Sequence, residues 1–182
     1  MKKIHTVFLS IVLLICVGCD AENRQPERIT PPPITTIYLI RHAEKDRSDP
    51  SNPDPELNQE GLGRAMHWAE ILEDVPLDAI YSTDYERTAM TAAPTSVKKD
   101  ITVQYYDPQT LNVFQFKQEI LGKKVLVVGH SNTTPDIVNK LLGKENQFPA
   151  MDDSDNGSLF VVHLSGDQSE VSRLHINCNC QK

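Results

Sequence analysis

Two histidines and two arginines occupy positions in the sequence where they can meet. Arg41 and His42 directly follow an apolar, β-branched run at residues 36–40. His130 comes just after a second such run, and Arg87 lies a few residues after a third, shorter one. A guanidinium matches the oxygens of a phosphoryl group in fork geometry, and a neutral imidazole can attack phosphorus. These residue types therefore predict a site that binds a phosphoryl group.

The elements that must position these residues alternate between strands and helices, which predicts an α/β fold. We expect a three-layer α/β/α sandwich with a mostly parallel central sheet. Because sites in such folds lie at the carboxyl ends of the strands, the four residues are predicted to converge on one crevice. The predicted strands cover 36–40, 78–81, 102–105, 124–128, 159–164 and 170–176, and the helices begin near Asn58, Tyr85, Leu111 and Pro135. The residues that the first helix is predicted to bury are Leu62, Ala65, Met66, Ala69 and Leu72.

Three segments of the sequence contain the four residues. The first is Leu-Ile-Arg-His-Ala-Glu at 39–44, and the third is Val-Gly-His-Ser-Asn at 128–132. The second, within 81–92, contains Tyr-Ser, Arg-Thr and Thr-Ala pairs. In composition and order these segments resemble the signature blocks of the histidine phosphatase superfamily, which has the phosphoglycerate mutase-like fold, with Ala43 where many members carry glycine.

The resemblance implies a role for each of the four residues. His42 is expected to be the nucleophile that becomes phosphorylated. Arg41, Arg87 and His130 are expected to bind the phosphoryl group and to stabilise its transition state. The cationic side chains supply the charge that phosphoryl transfer needs, so no metal or other cofactor is expected.

The chemistry sets further conditions on the site. His42 must be neutral to attack, with its other ring nitrogen held by a neighbouring carbonyl so that the tautomer is fixed. His130 adds a third positive donor if it is protonated. The start of the helix after His130, with Ser131 and Asn132, is expected to contribute to substrate binding.

Alkyl leaving groups need a proton as the P–O bond breaks, and a carboxylic acid near the site can supply it. Asp107 follows the third predicted strand, at about the place where family members often carry such an acid. Its alternative is a turn residue before Pro108. Glu44 is the second candidate, and its alternative is an ion pair with a nearby lysine or arginine.

The most direct functional hypothesis is a phosphatase that hydrolyses phosphate monoesters or phosphoproteins. The alternatives are a non-catalytic lipoprotein that binds phosphorylated ligands, and a phosphomutase. Mutases of the family resemble larger chains, which favours a phosphatase. A serine hydrolase is disfavoured, because Thr133 stands where the G-x-S-x-G motif requires its second glycine. Phosphoprotein, sugar phosphate and nucleotide phosphate all stay open as substrates.

The N-terminal segment resembles the signal peptide of a bacterial lipoprotein. Two lysines precede an almost wholly apolar run at residues 7–17, which is too short for a comfortable membrane span. The run ends at Gly18-Cys19, so Cys19 is the predicted site of lipid attachment. An ordinary secretory signal cut near Ala21 is the alternative. We expect an exported lipoprotein, anchored in the membrane and facing the periplasm or the outside of a bacterium.

These features predict three parts of the chain. Residues 1–18 form the signal peptide, residues 19–34 form a flexible proline-rich tether, and residues 35–182 form the phosphatase domain.

Charge and cysteine content exclude some functions and leave others open. The formal net charge of −7 argues against a nucleic-acid partner. Cys178 and Cys180 lie close together near the C-terminus, and a strained local disulfide or free thiols are the alternatives, with free thiols favoured. The sequence gives no indication of an oligomeric state.

Overall fold

A computed structural model of the chain describes residues 30–178. The chain order of its ten elements alternates as the sequence predicts. The strands are β1 (Ile34–Arg41), β2 (Ala79–Ser82), β3 (Val103–Tyr105), β4 (Lys124–Gly129), β5 (Ser158–Ser165) and β6 (Gln168–His175). The helices are α1 (Gln59–Ile71), α2 (Glu86–Lys99), α3 (Val113–Glu119) and α4 (Thr133–Leu142).

The six strands form one sheet in the order β3-β2-β4-β1-β5-β6. The four strands β3, β2, β4 and β1 are parallel to one another. β5 runs antiparallel to β1, and β6 runs antiparallel to β5. The predicted α/β fold with a mostly parallel sheet is confirmed.

Side chains alternate between the two faces of the sheet along each strand, so apolar residues point to both faces. Helices cover both faces. On one face, Trp68 and Leu72 at the α1 end pack with Ile40, Ile80 and Leu126 of the sheet. On the other face, side chains of α3 and α4 pack on the alternate positions of β1 and β4. The residues of this second cluster include Ile37, Leu39, Phe116, Ile120, Val125, Val127, Ile137 and Leu141.

The buried face of α1 differs from the predicted one. Leu62 and Met66 are 40% and 57% exposed, whereas Trp68 is fully buried. The helix approaches the preceding loop so closely that a Cβ at Gly61 would collide with the carbonyl oxygen of Glu44. The inward face of α1 is the one that carries Gly61, Ala65 and Trp68, so the expectation that Leu62 and Met66 face the core is wrong. The other three residues predicted to be buried are buried: Ala65, Ala69 and Leu72.

The ends of two helices follow their sequence signals. The Asn58 side chain accepts a hydrogen bond from the Gly61 backbone N–H and caps α1. α4 ends at Gly143, whose φ of 64° lies in the left-handed region that favours glycine. At the start of the domain, β1 includes Ile34, which the sequence placed in the tether.

Cys178 is disulfide-bonded, so a free thiol is the wrong expectation for this residue. The other cysteines, and with them the predicted lipid attachment site at Cys19, lie outside the described residues. Within residues 30–178, no helix has the length and apolar character needed to cross a membrane.

Candidate active site

The carboxyl end of β1 places His42 at the edge of the sheet, beside the end of β4. The His42 backbone N–H donates to the Gly129 carbonyl at 2.9 Å, which continues the pairing of the two strands. The ring is buried, and its Nδ1 lies 2.7 Å from the Ala43 carbonyl oxygen. A carbonyl only accepts, so Nδ1 carries the proton and Nε2 carries the lone pair. The carbonyl that the sequence analysis required is therefore that of Ala43.

The environment keeps this imidazole neutral. Burial lowers the pKa of His42 to about 3, and the charge of Arg41 adds to this effect. The hydrogen bond to the Ala43 carbonyl opposes it but is the smaller influence than burial. A neutral ring at physiological pH is the form that can act as a nucleophile.

Two other elements hold the backbone around His42. The Asn156 side-chain amide donates to the His42 carbonyl at 2.8 Å. The Ala43 N–H donates to Thr91 Oγ1 at 2.9 Å, and this hydroxyl donates to the Arg87 carbonyl at 2.7 Å. The nucleophile is thus connected through Thr91 to the helix that carries Arg87.

Arg41 is buried and bound to the loop before β5. Its Nη1 donates to the carbonyls of Asp152 and Asp153 at 2.9 and 3.0 Å. Its Nη2 forms an ion pair with the Asp153 carboxylate at 2.9 Å, and Arg47 contacts the other oxygen of that carboxylate at 2.7 Å. The Nε of Arg41 is buried and has no hydrogen-bond partner within the described part of the chain.

His130 lies beside His42, with ring centroids 5.5 Å apart. Its Nε2 is 2.9 Å from Thr83 Oγ1, and its Nδ1 is 3.5 Å from Arg87 Nη2. Burial, followed by the charge of Arg87, lowers the pKa of His130 to about 4. The ring is therefore neutral at pH 7, so it adds a positive charge only when a bound anion raises its pKa.

Arg87, at the start of α2, is the fourth predicted residue at this edge. Its Nη1 forms an ion pair with Asp54 at 3.0 Å, and its guanidinium lies 4.4 Å from the Tyr85 ring centroid. Its Nε, like that of Arg41, is buried without a partner among residues 30–178. An unsatisfied buried donor costs about 1–3 kcal/mol, and such groups often mark a catalytic or anion-binding site.

A cavity of about 680 Å³ opens beside His42 and Arg41. Lys45 and Arg47 bring two further cationic side chains to its wall, and Glu60 brings a carboxylate. Among the described residues, the side chains of Lys45 and Glu60 have no hydrogen-bond or ion-pair partner. The cavity wall is predominantly polar, which suits a charged ligand.

The candidate acids from the sequence both have other contacts. Glu44 lines the cavity but is paired with Arg64, whose Nε lies 2.8 and 2.9 Å from its two carboxylate oxygens. Asp107 accepts from the Gln109 N–H at 2.8 Å and from the Thr110 hydroxyl at 3.2 Å, as a turn residue does. Glu44 is therefore in an ion pair and Asp107 in a turn, which are the alternatives to a catalytic role that the sequence analysis gave.

Ser131 and Asn132 lie at the start of α4, as predicted, but neither lines the cavity beside His42. The Ser131 carbonyl accepts from the Met151 N–H at 2.8 Å. Asn132 precedes α4 without a side-chain capping bond. A substrate contact by either residue stays a prediction.

The sequence analysis missed the residues that hold the four central side chains. Asp54 and Asp153 come from loops, where no spacing rule indicates which carboxylate meets which arginine. Thr83 and Thr91 are hydroxyls inside the second signature block, and only their position beside Arg87 could have singled them out. Asn156 lies in a loop without a recognisable motif.

Comparison with known families agrees with this arrangement. The model of the histidine phosphatase superfamily, branch 1, matches residues 37–108, which contain Arg41, His42 and Arg87. Over these residues, which are less than half of the chain, the sequence is similar to the histidine phosphatase superfamily. This similarity supports an activity of the phosphatase or phosphomutase type. A search of curated proteins finds no match.

Solved structures show the same fold at low sequence identity. A protein assigned as the phosphohistidine phosphatase SixA of Agrobacterium tumefaciens has 22% identity and a TM-score of 0.57, covering 78% of this chain and 99% of that one. The protein histidine phosphatase SixA complexed with tungstate has 13% identity and a TM-score of 0.61, covering 77% and 96%. A phosphoglycerate mutase from Bacillus anthracis has 14% identity and a TM-score of 0.59, covering 79% and 94%.

Proposed function

We propose that the protein is a phosphatase that hydrolyses phosphate monoesters or phosphoproteins through a phosphohistidine on His42. The observation that carries this proposal is the ring of His42. Its Nδ1 is bound to the Ala43 carbonyl, and no described residue forms a hydrogen bond to Nε2. A neutral imidazole with an unbonded lone pair, beside two arginines and a second histidine, fits a nucleophile for phosphorus.

The reaction has two steps. In the first, His42 Nε2 forms a bond to phosphorus while the bond from phosphorus to the leaving oxygen breaks, and the leaving group takes the electron pair. In the second, a water oxygen bonds to phosphorus while the P–N bond breaks, the water proton is released and inorganic phosphate leaves. The Nδ1–H bond to Ala43 stabilises the positive ring that exists between the two steps.

Charge around the transferred group is supplied by the chain itself. The buried Nε–H groups of Arg41 and Arg87 have no partner among residues 30–178, and a hydrogen bond from such a buried group to an anion is strong. A phosphoryl group near His130 favours the protonated ring, which then becomes a further donor. Phosphoryl transfer depends mainly on positioning and on this kind of charge stabilisation.

A proton for alkyl leaving groups has its best source in Glu60. Glu44 and Asp153 line the same cavity but are paired with arginines, and the Asp152 carboxylate, which also lines it, accepts from the N–H and hydroxyl of Ser154. Glu60, in the first turn of α1, lines the cavity and has no partner within residues 30–178. We therefore add Glu60 to Asp107 and Glu44 as a candidate general acid.

Domain size does not separate a phosphatase from a mutase. The chain covers 94% of the Bacillus anthracis phosphoglycerate mutase, so a protein described as a mutase has a similarly small fold. The expectation that mutases of the family are larger chains is therefore wrong for this neighbour. Release of inorganic phosphate in water, without a phosphate acceptor, is the property that distinguishes the two activities.

The test is a substrate panel with the purified protein. The panel contains p-nitrophenyl phosphate, alkyl and sugar phosphates, a nucleotide and a phosphohistidine peptide. The peptide is included because one neighbour is described as a phosphohistidine phosphatase and another as a protein histidine phosphatase. We expect release of inorganic phosphate from at least one class, and its loss in His42→Ala. A protein that binds these ligands without turning any of them over would instead be the non-catalytic binder.

We also propose that the protein is exported and anchored by acyl chains on Cys19. The support is in the sequence alone, where the apolar run ends at Gly18-Cys19. Labelled fatty acid is expected to enter the wild-type protein but not Cys19→Ser. Equal labelling of the two proteins would contradict a lipid at this residue.

A further inference from the structure

Two buried threonine hydroxyls form a hydrogen-bonded chain that ends on His130. Thr83 Oγ1 lies 2.9 Å from His130 Nε2 and 3.0 Å from Thr88 Oγ1. Thr88 Oγ1 in turn lies 2.8 Å from the carbonyl oxygens of Thr83 and Tyr85. Both threonines are almost completely excluded from solvent. Nothing in the mechanism above uses either hydroxyl.

The direction of this chain follows from its two carbonyl ends. Carbonyl oxygens only accept, so the single hydrogen of the Thr88 hydroxyl points at one of them. The hydrogen between the two threonine oxygens must then come from Thr83. The Thr83 oxygen is left as an acceptor for His130, whose Nε2 must therefore carry a proton.

We propose that Thr83 and Thr88 are positioning residues that hold neutral His130 in its Nε2–H tautomer. Its Nδ1 is then the nitrogen with the lone pair, and this atom lies 3.5 Å from Arg87 Nη2. A lone pair aimed at a phosphoryl oxygen is unfavourable, whereas an Nδ1–H donor is favourable. Binding of a phosphoryl anion is therefore coupled to uptake of a proton at Nδ1.

Other charged groups around His130 affect the pKa of the ring, but the two hydroxyls determine which nitrogen takes up the proton. Neither threonine titrates, so the two hydroxyls act by choosing which nitrogen accepts the proton. The titratable and charged groups that face the ring are Arg41 and His42 at the end of β1, Lys45 and Asp54 in the following loop, and Tyr85 and Arg87 at the start of α2. The proposal rests on the proposed function only in identifying the anion as a phosphoryl group.

The first test reads the tautomer directly, without substrate. Ring ¹⁵N NMR of the full-length protein reports which nitrogen of His130 carries the proton. The wild type is expected to show Nε2–H. In Thr88→Val the Thr83 hydroxyl loses its acceptor and turns its hydrogen to Nε2, so this variant is expected to shift to Nδ1–H. An Nδ1–H ring in the wild type, or an unchanged tautomer in folded Thr88→Val, would overturn the proposal.

The second test measures the coupling with tungstate as the probe anion. Uptake of one proton makes wild-type affinity fall by up to about tenfold per pH unit between the pKa of the free His130 ring, about 4, and the higher pKa of the ring in the complex. In Thr88→Val and Thr83→Val the neutral ring can present Nδ1–H, so the fall is expected to be less than about threefold per unit.

Two further variants separate positioning from general damage to the fold. Thr83→Ser keeps the hydroxyl and is expected to retain the wild-type tautomer and pH slope. Thr95→Val changes a buried threonine of the same helix whose hydroxyl has no partner within residues 30–178, so it should also retain both. Identical slopes in all five proteins would refute the coupling, even if every one of them hydrolyses phosphate.

Discussion

The two histidines at the sheet edge lie side by side but are held in different ways. His42 is fixed through Nδ1 by the backbone carbonyl of Ala43, and His130 is contacted through Nε2 by the side chain of Thr83. A backbone carbonyl survives any substitution, whereas a threonine hydroxyl does not. The nucleophile is thus held by the part of the chain that cannot change, and the supporting histidine by residues that can.

Removal of each ring should show the largest difference between the two positions. His42→Ala removes the atom that bonds to phosphorus, so kcat is expected to fall by at least about a thousandfold. His130→Ala removes one donor to the transition state and should cost about a hundredfold. Steady-state kinetics on the best substrate of the panel gives both numbers.

The control for both substitutions is His67→Ala, at a half-buried position on α1 that is paired only with Glu70. This variant should keep its activity. Equal losses in His42→Ala and His130→Ala would remove the distinction between nucleophile and supporting residue.

Arg87 connects the two histidines. Its Nη2 reaches His130, and its backbone carbonyl accepts from the Thr91 hydroxyl, which itself accepts from the Ala43 N–H next to His42. Loss of a donor to the transition state costs about 3 kcal/mol, so Arg87→Ala should lower kcat/KM by roughly a hundredfold. Its affinity for vanadate should fall as well. The matched control is Lys98→Ala, which removes an exposed cation from the same helix. Unchanged vanadate inhibition in Arg87→Ala would place this arginine outside the site.

The acid assignment can be tested by varying the leaving group. An acid matters for alkyl leaving groups and little for p-nitrophenolate, which departs unprotonated. Glu60→Gln is expected to slow alkyl phosphate hydrolysis by about a hundredfold and to leave p-nitrophenyl phosphate hydrolysis nearly unchanged. Asp107→Asn should affect neither rate, because its carboxylate is held in its own turn. If Asp107→Asn alone shows the leaving-group effect, Asp107 is the acid.

Glu44→Gln should be measured with the same two kinds of leaving group, because we expect this substitution to act on folding stability. Its carboxylate is largely buried against Arg64, so Glu44→Gln leaves a largely buried guanidinium without a counter-charge. Breaking such a pair costs about 3 kcal/mol or more of folding free energy. We expect a lower midpoint of thermal unfolding, with similar losses of rate for both kinds of leaving group.

Both rings share one property, a pKa below the ordinary histidine value of 6.5, at about 3 for His42 and about 4 for His130. The unfolded chain therefore binds more protons than the folded one between pH 6.5 and these values, and stability falls as the pH is lowered through this range. Urea unfolding between about pH 5 and 7 should show the fall above the range in which carboxylates titrate. His130→Ala should flatten this dependence, whereas His67→Gln should not.

The sequence predicts the framework of the site better than its supports. The β-branched runs before Arg41 and His130 identify the two central strands, and the rule for parallel sheets brings their ends together. The buried face of α1 is predicted only in part: Ala65, Ala69 and Leu72 are buried, whereas Leu62 and Met66 are exposed, and no periodicity shows that Gly61 lies against the Glu44 backbone.

The residues that support the site depend on tertiary contacts between distant segments. Asp153 reaches Arg41 from 112 positions away in the sequence, and Asp54 reaches Arg87 from 33 positions away. No sequence pattern identifies the partner of such a loop carboxylate, because the partner depends on where the loop lies in the folded chain. The Thr83 contact to His130 likewise needs β2 and β4 to be neighbours in the sheet.

The central claim is the phosphohistidine on His42, and rapid quenching of turnover tests it most directly. Wild-type protein mixed with ³²P-labelled substrate and quenched in alkaline denaturant is expected to carry phosphate that is stable to base and labile to acid. The label should map to the peptide that contains His42 and should be absent from His42→Ala. Turnover without any acid-labile label, or an acid-stable label on the peptide that contains Ser131, would contradict the account.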